Sequence, residues 1–256
     1  MSTPVGRQAR ALAPPSGRLR FEGRTALVTG ASQGIGRAVA LSLAGEGAAV
    51  HLVARSSPRL AAAARDGGAL CRPLVADLTS EASIRGAVEQ LLDSGEVVDL
   101  LVHCGGQYAR GTVQESPSED LDVQYQLSVR APYLLTQMLL PGLRSQPSDI
   151  VFMGSTVRPA ARLGAYAAAQ TAQAALARAL RDEMSDGDVR VLTVFPGRTA
   201  TPRQAQIFRL EGRADEYRPE RLLQPEDVAA ITLDALCLPR RAEVTEVWLR
   251  PAEATY

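Results

Sequence analysis

Apolar residues along the chain fall into two alternating patterns. Short, nearly unbroken runs at 25–28, 49–53, 70–75, 97–102, 149–153, 189–195 and 244–249 read as strands buried on both faces. Between them lie stretches at 37–44, 58–65, 81–93, 118–140, 162–184 and 225–237 with helical spacing of apolar and small residues. Pro132 is expected to break the fourth of these helices. Strands alternating with helices of this length predict right-handed βαβ units and a parallel sheet covered on both faces. Two segments lack periodicity. Residues 1–20, with Pro4, Pro14, Pro15, Gly6 and Gly17 among scattered arginines, read as a flexible N-terminal tail, leaving 21–256 as one domain. Residues 196–224 read as an irregular substrate loop or lid, with Gln206, Ile207, Phe208 and Leu210 as its apolar wall.

The first strand runs into Thr29-Gly30-Ala31-Ser32-Gln33-Gly34-Ile35-Gly36 and then a helix. A strand, a glycine-rich turn and a helix start, in that order, make an anion site. Gly30 is free to take a turn conformation closed to other residues, Gly34 admits a phosphate close to the backbone, and Gly36 lets helix and strand pack tightly. The free N–H groups of the helix's first turn then face a pyrophosphate. The expected fold is α/β, a single Rossmann-type doubly wound parallel sheet of about seven strands with helices on both faces. Ligands are expected beyond the carboxyl ends of its strands.

Composition narrows the rest. The chain has 256 residues, enough for one domain with a sizeable core, and a formal net charge of zero, which gives no electrostatic footprint for nucleic acid. Its three cysteines, Cys71, Cys104 and Cys237, are far apart, and the two histidines, His51 and His103, share no ligand spacing with them, so neither disulfides nor a metal site is expected. No apolar run approaches the length of a membrane span and the first residues carry no apolar signal core, so a cytoplasmic protein with no membrane partner is expected. The chain contains no lysine; all 28 Lys+Arg residues are arginine.

Several features together resemble the short-chain dehydrogenase/reductase family over nearly the whole chain from Arg24. The glycine loop is similar to that family's cofactor loop. Asp77-Leu78-Thr79 is similar to its adenine-contacting step, and Leu101-Val102-His103-Cys104-Gly105-Gly106 lies where the family has Asn-Asn-Ala-Gly. Ser155 and Tyr166 resemble the catalytic serine and tyrosine, with Thr156 an alternative hydroxyl because the interval between the two is about two residues short of the family's. Pro196-Gly197 with Thr199 and Thr201 resembles its nicotinamide-contacting turn. The resemblance implies a nicotinamide cofactor held by Gly30, Ser32, Gln33, Gly34, Ile35, Gly36, Asp77, Leu78, Gly105, Pro196, Gly197, Thr199 and Thr201, together with Tyr166 and the residue a turn after it. The end of the second strand reads Val53-Ala54-Arg55-Ser56. It has no acid for a ribose 2′-OH but offers Arg55 and Ser56 to a 2′-phosphate, so NADP(H) is favoured over NAD(H).

Two departures stand out. Where the family carries a lysine one helical turn after the tyrosine, this chain has Gln170, and where it carries an asparagine in the preceding long helix, this chain has Ser128. A cation about 4 Å from a phenol stabilises tyrosinate by up to ~4 kcal/mol; glutamine removes that stabilisation while still able to hydrogen-bond a ribose. An atypical NADPH-dependent ketoreductase acting on a small, partly apolar carbonyl or alcohol is the favoured reading, with Tyr166, Ser155, Gln170, Ser128 and His103 at the catalytic centre and His103 as a further acid near neutral pH. The alternatives are a non-redox enzyme of the same fold, performing cyclisation, dehydration or isomerisation, and a non-catalytic nucleotide-binding subunit of a heteromeric enzyme. The resemblance also implies a homodimer or homotetramer built on the long helices, with Ala165, Ala168, Ala169, Ala172 and Ala175 allowing close approach.

Overall fold

The computed structural model describes residues 19–55, 58–185 and 187–253. Seven strands, β1 (Thr25–Thr29), β2 (Ala49–Ala54), β3 (Cys71–Val75), β4 (Leu100–His103), β5 (Ser148–Met153), β6 (Val189–Pro196) and β7 (Glu246–Leu249), form one sheet in the order β3-β2-β1-β4-β5-β6-β7. Every neighbouring pair is parallel. The order reverses between β1 and β4, which opens a crevice beyond their carboxyl ends. Pro73, which cannot donate to a ladder, lies in the edge strand β3.

Helices α1 (Gly34–Gly45), α2 (Pro58–Asp66) and α8 (Pro225–Leu236) cover one face, where Val39, Leu43, Leu60, Val228 and Leu233 close over Val28, Val50 and Val102. On the other face lie α3 (Glu81–Asp93), α4 (Ser118–Tyr125), α5 (Ala131–Leu143) and α6 (Gly164–Glu183), with Ile84, Val88, Leu135, Leu139 and Leu180 against Leu27, Leu101, Ile150 and Phe152. The fold is thus the α/β, doubly wound Rossmann-type sheet that the alternating pattern predicts.

Three details depart from the sequence reading. First, Pro132 does not break the fourth helix. A π-helical turn, Gln126–Arg130, joins α4 to α5, and Pro132 falls in the first turn of α5. Proline has no N–H to give to the residue four back, and the wider turn absorbs that mismatch without ending the helix. Second, α6 begins at Gly164 rather than 162, because Arg162 sits at φ +67°, outside the helical region. Third, the segment 196–224 is not irregular: it holds α7 (Pro202–Leu210) and two short 3-10 turns. Thr201 caps α7 by accepting from the Gln204 N–H at 3.1 Å, with Pro202 at the first helical position. Of the four residues expected to form an apolar wall there, only Phe208 is buried; Gln206 and Leu210 face solvent. At the other end of the chain, residues 1–18 of the expected tail lie outside the described residues. Arg20 is anchored, its guanidinium bonded to Glu46 at 2.9 Å and Asp234 at 2.7 Å.

Candidate active site

The glycine loop closes on the β1–β4 crevice, and its geometry shows why each glycine is needed. Gly30 has φ +66°, and a Cβ there would stand 2.8 Å from the Cys104 carbonyl oxygen. Gly34 has φ +57°, with a Cβ 3.2 Å from the Thr201 methyl. A Cβ at Gly36 would meet the Gly30 carbonyl oxygen at 2.5 Å. Gln33 precedes α1 in extended conformation and contributes no side-chain cap, so the first-turn N–H groups stay open to an acceptor. Its Oε1 instead accepts from Arg59 Nη1 at 2.6 Å, which brings a guanidinium from α2 to the loop. Sequence reasoning passed over Arg59, since nothing in the spacing shows that α2 folds back on the loop. Thr29 staples the crevice: its hydroxyl accepts from the Cys104 and Gly105 N–H groups, both at 3.0 Å. Gly105 packs against Leu78, whose Cδ1 would be 2.5 Å from an added Cβ.

Asp77 follows β3, where one carboxylate oxygen accepts from the Thr79 N–H (2.9 Å) and hydroxyl (2.8 Å). These bonds, with a smaller contribution from Arg55, hold its carboxyl below the usual range and leave the second oxygen for a donor. Arg55 is exposed at the end of β2, and Ser56 lies outside the described residues. Ser32 and Ile35 are half-buried in the loop. Pro196 ends β6, and the Gly197 N–H donates to the Leu249 carbonyl at 2.9 Å. Two expected cofactor hydroxyls have local partners as well. Thr199 donates to the Gly197 carbonyl at 3.0 Å, and Thr201 is the α7 cap.

Tyr166 lies in the first turn of α6, half-buried, its ring edge-on to Tyr108 with centroids 5.1 Å apart. Ser155 sits in the loop after β5 and accepts from the Val157 N–H at 3.2 Å, while the Thr156 N–H reaches the Pro196 carbonyl at 3.4 Å. Gln170 is one turn beyond Tyr166 on the same helical face. Its Nε2 donates to the hydroxyl of Ser128 at 3.2 Å, so the two departures from the family pattern touch each other. Ser128 is fully buried in the π-helical turn. The Gln170 Oε1 is buried with no partner among the described residues.

His103 does not fit the role of an acid near neutral pH. It is 1% exposed, 4.9 Å from the Phe152 ring, with Nε2 3.1 Å from the Thr136 hydroxyl. Burial pushes its imidazole down to about 3, so it stays neutral and ties β4 to α5.

Residues 24–212 match the family described as short chain dehydrogenase. The chain belongs to the short-chain dehydrogenase/reductase family. An uncharacterised short-chain type dehydrogenase/reductase of Sinorhizobium fredii is 30% identical over 237 residues, covering 91% of this chain and 92% of the relative. Among solved structures, the L-sorbose reductase of Gluconobacter frateurii complexed with NADPH and L-sorbose is similar at TM-score 0.79 and 28% identity, over 90% of this chain and 96% of that one. The 3-ketoacyl-(acyl-carrier-protein) reductase of Brucella melitensis complexed with NADH gives TM-score 0.78 and 28% identity, over 90% and 97%. Among the described residues no helix of this short-chain dehydrogenase is long and apolar enough to cross a membrane.

Proposed function

We propose that this short-chain dehydrogenase is an NADPH-dependent ketoreductase acting on a small, partly apolar carbonyl compound, with Tyr166 as its proton donor. The observation that carries the reading is the glycine loop, packed so closely at Gly30, Gly34 and Gly36 that a Cβ at each would crowd its protein neighbours, and followed by a helix start that has no side-chain cap. It lies at the carboxyl ends of the strands, the sheet end that also carries Ser155 and Tyr166. That donor set fits a dinucleotide. When bound, the nicotinamide supplies a hydride to the carbonyl carbon. The residues do the rest. The loop and the first turn of α1 bind the pyrophosphate. Ser155 donates a hydrogen bond to the carbonyl oxygen, and Tyr166 gives that oxygen its proton. Gln170, oriented by Ser128, turns its unpartnered Oε1 to a ribose hydroxyl. Reduction requires neutral tyrosine, so it tolerates the missing lysine better than alcohol oxidation does.

Arg55 at the end of β2, where no acid stands, supports NADP(H) over NAD(H), with Arg59 beside the loop as a second cation. Residues 21–256 act as one cytoplasmic catalytic domain, 196–224 as its substrate wall. Exposed Tyr125 and Tyr133, with Ala168 and Ala175 on α6, suit pairing of like subunits.

Titration of the protein with NADPH and NADH, following binding and oxidation separately, tests the reading. NADPH is expected to bind at least roughly tenfold more tightly, with Arg55→Ala removing most of the difference, and to be oxidised by members of a carbonyl panel. Absence of binding overturns it. The Gln170–Ser128 contact favours a second reading, a non-redox or non-catalytic nucleotide-binding protein, and tight NADPH binding without turnover is the result that would select it.

A further inference from the structure

Several arginines gather around Gly106, Tyr108 and Phe208, and three of them have acceptors. Arg110 pairs with Glu211 at 2.8 Å, Arg213 with Glu216 at 2.6 Å, and Arg203 reaches the Gly106 carbonyl. Arg198, directly after Gly197, differs. Its Nη1 is buried with no partner among the described residues. The guanidinium carbon stands 5.2 Å from the centroid of the buried Phe208 ring, which fixes its position without satisfying its donors. Glu216 lies within its electrostatic reach, but that carboxylate is held by Arg213. Tyr108, pushed up mainly by its own burial, feels both Arg198 and Tyr166, and its ring touches the ring of Tyr166.

A buried guanidinium donor left unmade costs free energy until an acceptor arrives. The acceptor best suited to a planar, forked cation is a carboxylate. We propose that Arg198 is an anion-recognition residue and that the substrate is an oxo acid, its carboxylate on Arg198 and its carbonyl at Tyr166. Half-buried Tyr108, beside Tyr166, supplies an apolar side, and buried Phe208 backs the guanidinium. This rests on the ketoreductase reading and names the substrate class for that same site.

The test uses phenylpyruvate and its methyl ester, which differ only in the charge offered to Arg198, and hydrocinnamate, which carries the carboxylate but has no carbonyl to reduce. Wild-type kcat/KM is expected to favour the acid over the ester by about 10- to 100-fold, the range for a hydrogen-bonded charge. Arg198→Met is expected to erase most of that preference, and Arg198→Lys to keep part of it. Three results overturn the proposal: no preference in the wild type, equal losses on acid and ester, or a loss of NADPH affinity in Arg198→Met as large as the loss on phenylpyruvate, which would assign the cation to the cofactor. If no carbonyl compound is turned over, the ketoreductase reading falls, and calorimetry with hydrocinnamate decides the proposal alone. Binding at least tenfold weaker in Arg198→Met and partly kept in Arg198→Lys sustains it; equal binding ends it.

Discussion

The two ends of the sheet treat buried polar groups in opposite ways. At the amino ends of the strands Asp149, fully buried in β5, accepts from Arg24 at 2.8 Å, Arg190 at 2.8 Å and Arg240 at 3.0 Å. Arg24 also bonds Asp99 at 2.9 Å, and Arg190 caps the carbonyls of Leu236, Leu238 and Ala242. The residues just before β1 and β4, residues of β5 and β6 and the connection to β7 are stitched together, and these polar groups satisfy one another. Among the described residues, buried side-chain atoms without partners include Gln170 Oε1 and Arg198 Nη1 beside the site and His103 Nδ1 in β4, with further ones on Gln124, Gln173 and Thr193. Buried polar groups are ordinarily paired, so the amino end reads as structure, while Gln170 and Arg198 at the other end are groups that a ligand would satisfy.

Breaking the amino end should cost stability. Asp149→Ala leaves three guanidinium groups without their shared carboxylate, and a loss of about 3–5 kcal/mol in urea unfolding is expected. A loss below about 1 kcal/mol would mean that the network is solvated and the contrast overstated. At the carboxyl end, Gly36→Ala places a methyl against the Gly30 carbonyl and should cost about 1–3 kcal/mol, with a parallel loss of NADPH affinity measured by titration. Affinity that survives the substitution would detach the loop from cofactor binding.

His103 gives a pH signature to the same end. Its imidazole titrates near 6.5 when unfolded and near 3 in the fold. Because the folded value is depressed, the stabilisation is present above pH 6.5 and is lost as pH falls toward 3, by up to about 1.4 kcal/mol per pH unit. The difference in unfolding free energy between wild type and His103→Gln should therefore shrink over that window. A constant difference would place His103 in contact with water.

Much of this was legible in the sequence, and the exceptions have physical causes. The strand runs and the glycine loop are local patterns, and they locate the sheet and the crevice correctly. Pro132 misleads because the widened turn that tolerates it depends on packing against α6, which no local pattern reports. Thr201-Pro202 is a cap followed by a first-turn proline, but the weak periodicity after it hides α7. Residue type alone makes His103 an acid near neutral pH; its burial beside Phe152, which decides its protonation, is a tertiary fact. The Gln170–Ser128 contact spans 42 residues and joins two positions that sequence reasoning treated separately.

That contact supplies a finer test. Gln170→Lys introduces a cation near Tyr166, and the rising limb of alcohol oxidation against pH should move down by about one unit or more. An unchanged profile would mean that the phenol does not carry the proton. Ser128→Ala removes only the bond that orients Gln170, and a rise in the NADPH Kd of about two- to tenfold, with little change in kcat, is expected from a titration beside steady-state kinetics.

The central claim is that Tyr166 gives the proton in an NADPH-dependent reduction without help from a lysine. Single-turnover loss of NADPH fluorescence, in wild type and Tyr166→Phe at saturating carbonyl substrate, tests it most directly. The account predicts a rate about 10²- to 10⁴-fold lower in the variant with NADPH affinity retained. Equal rates in the two proteins would contradict it.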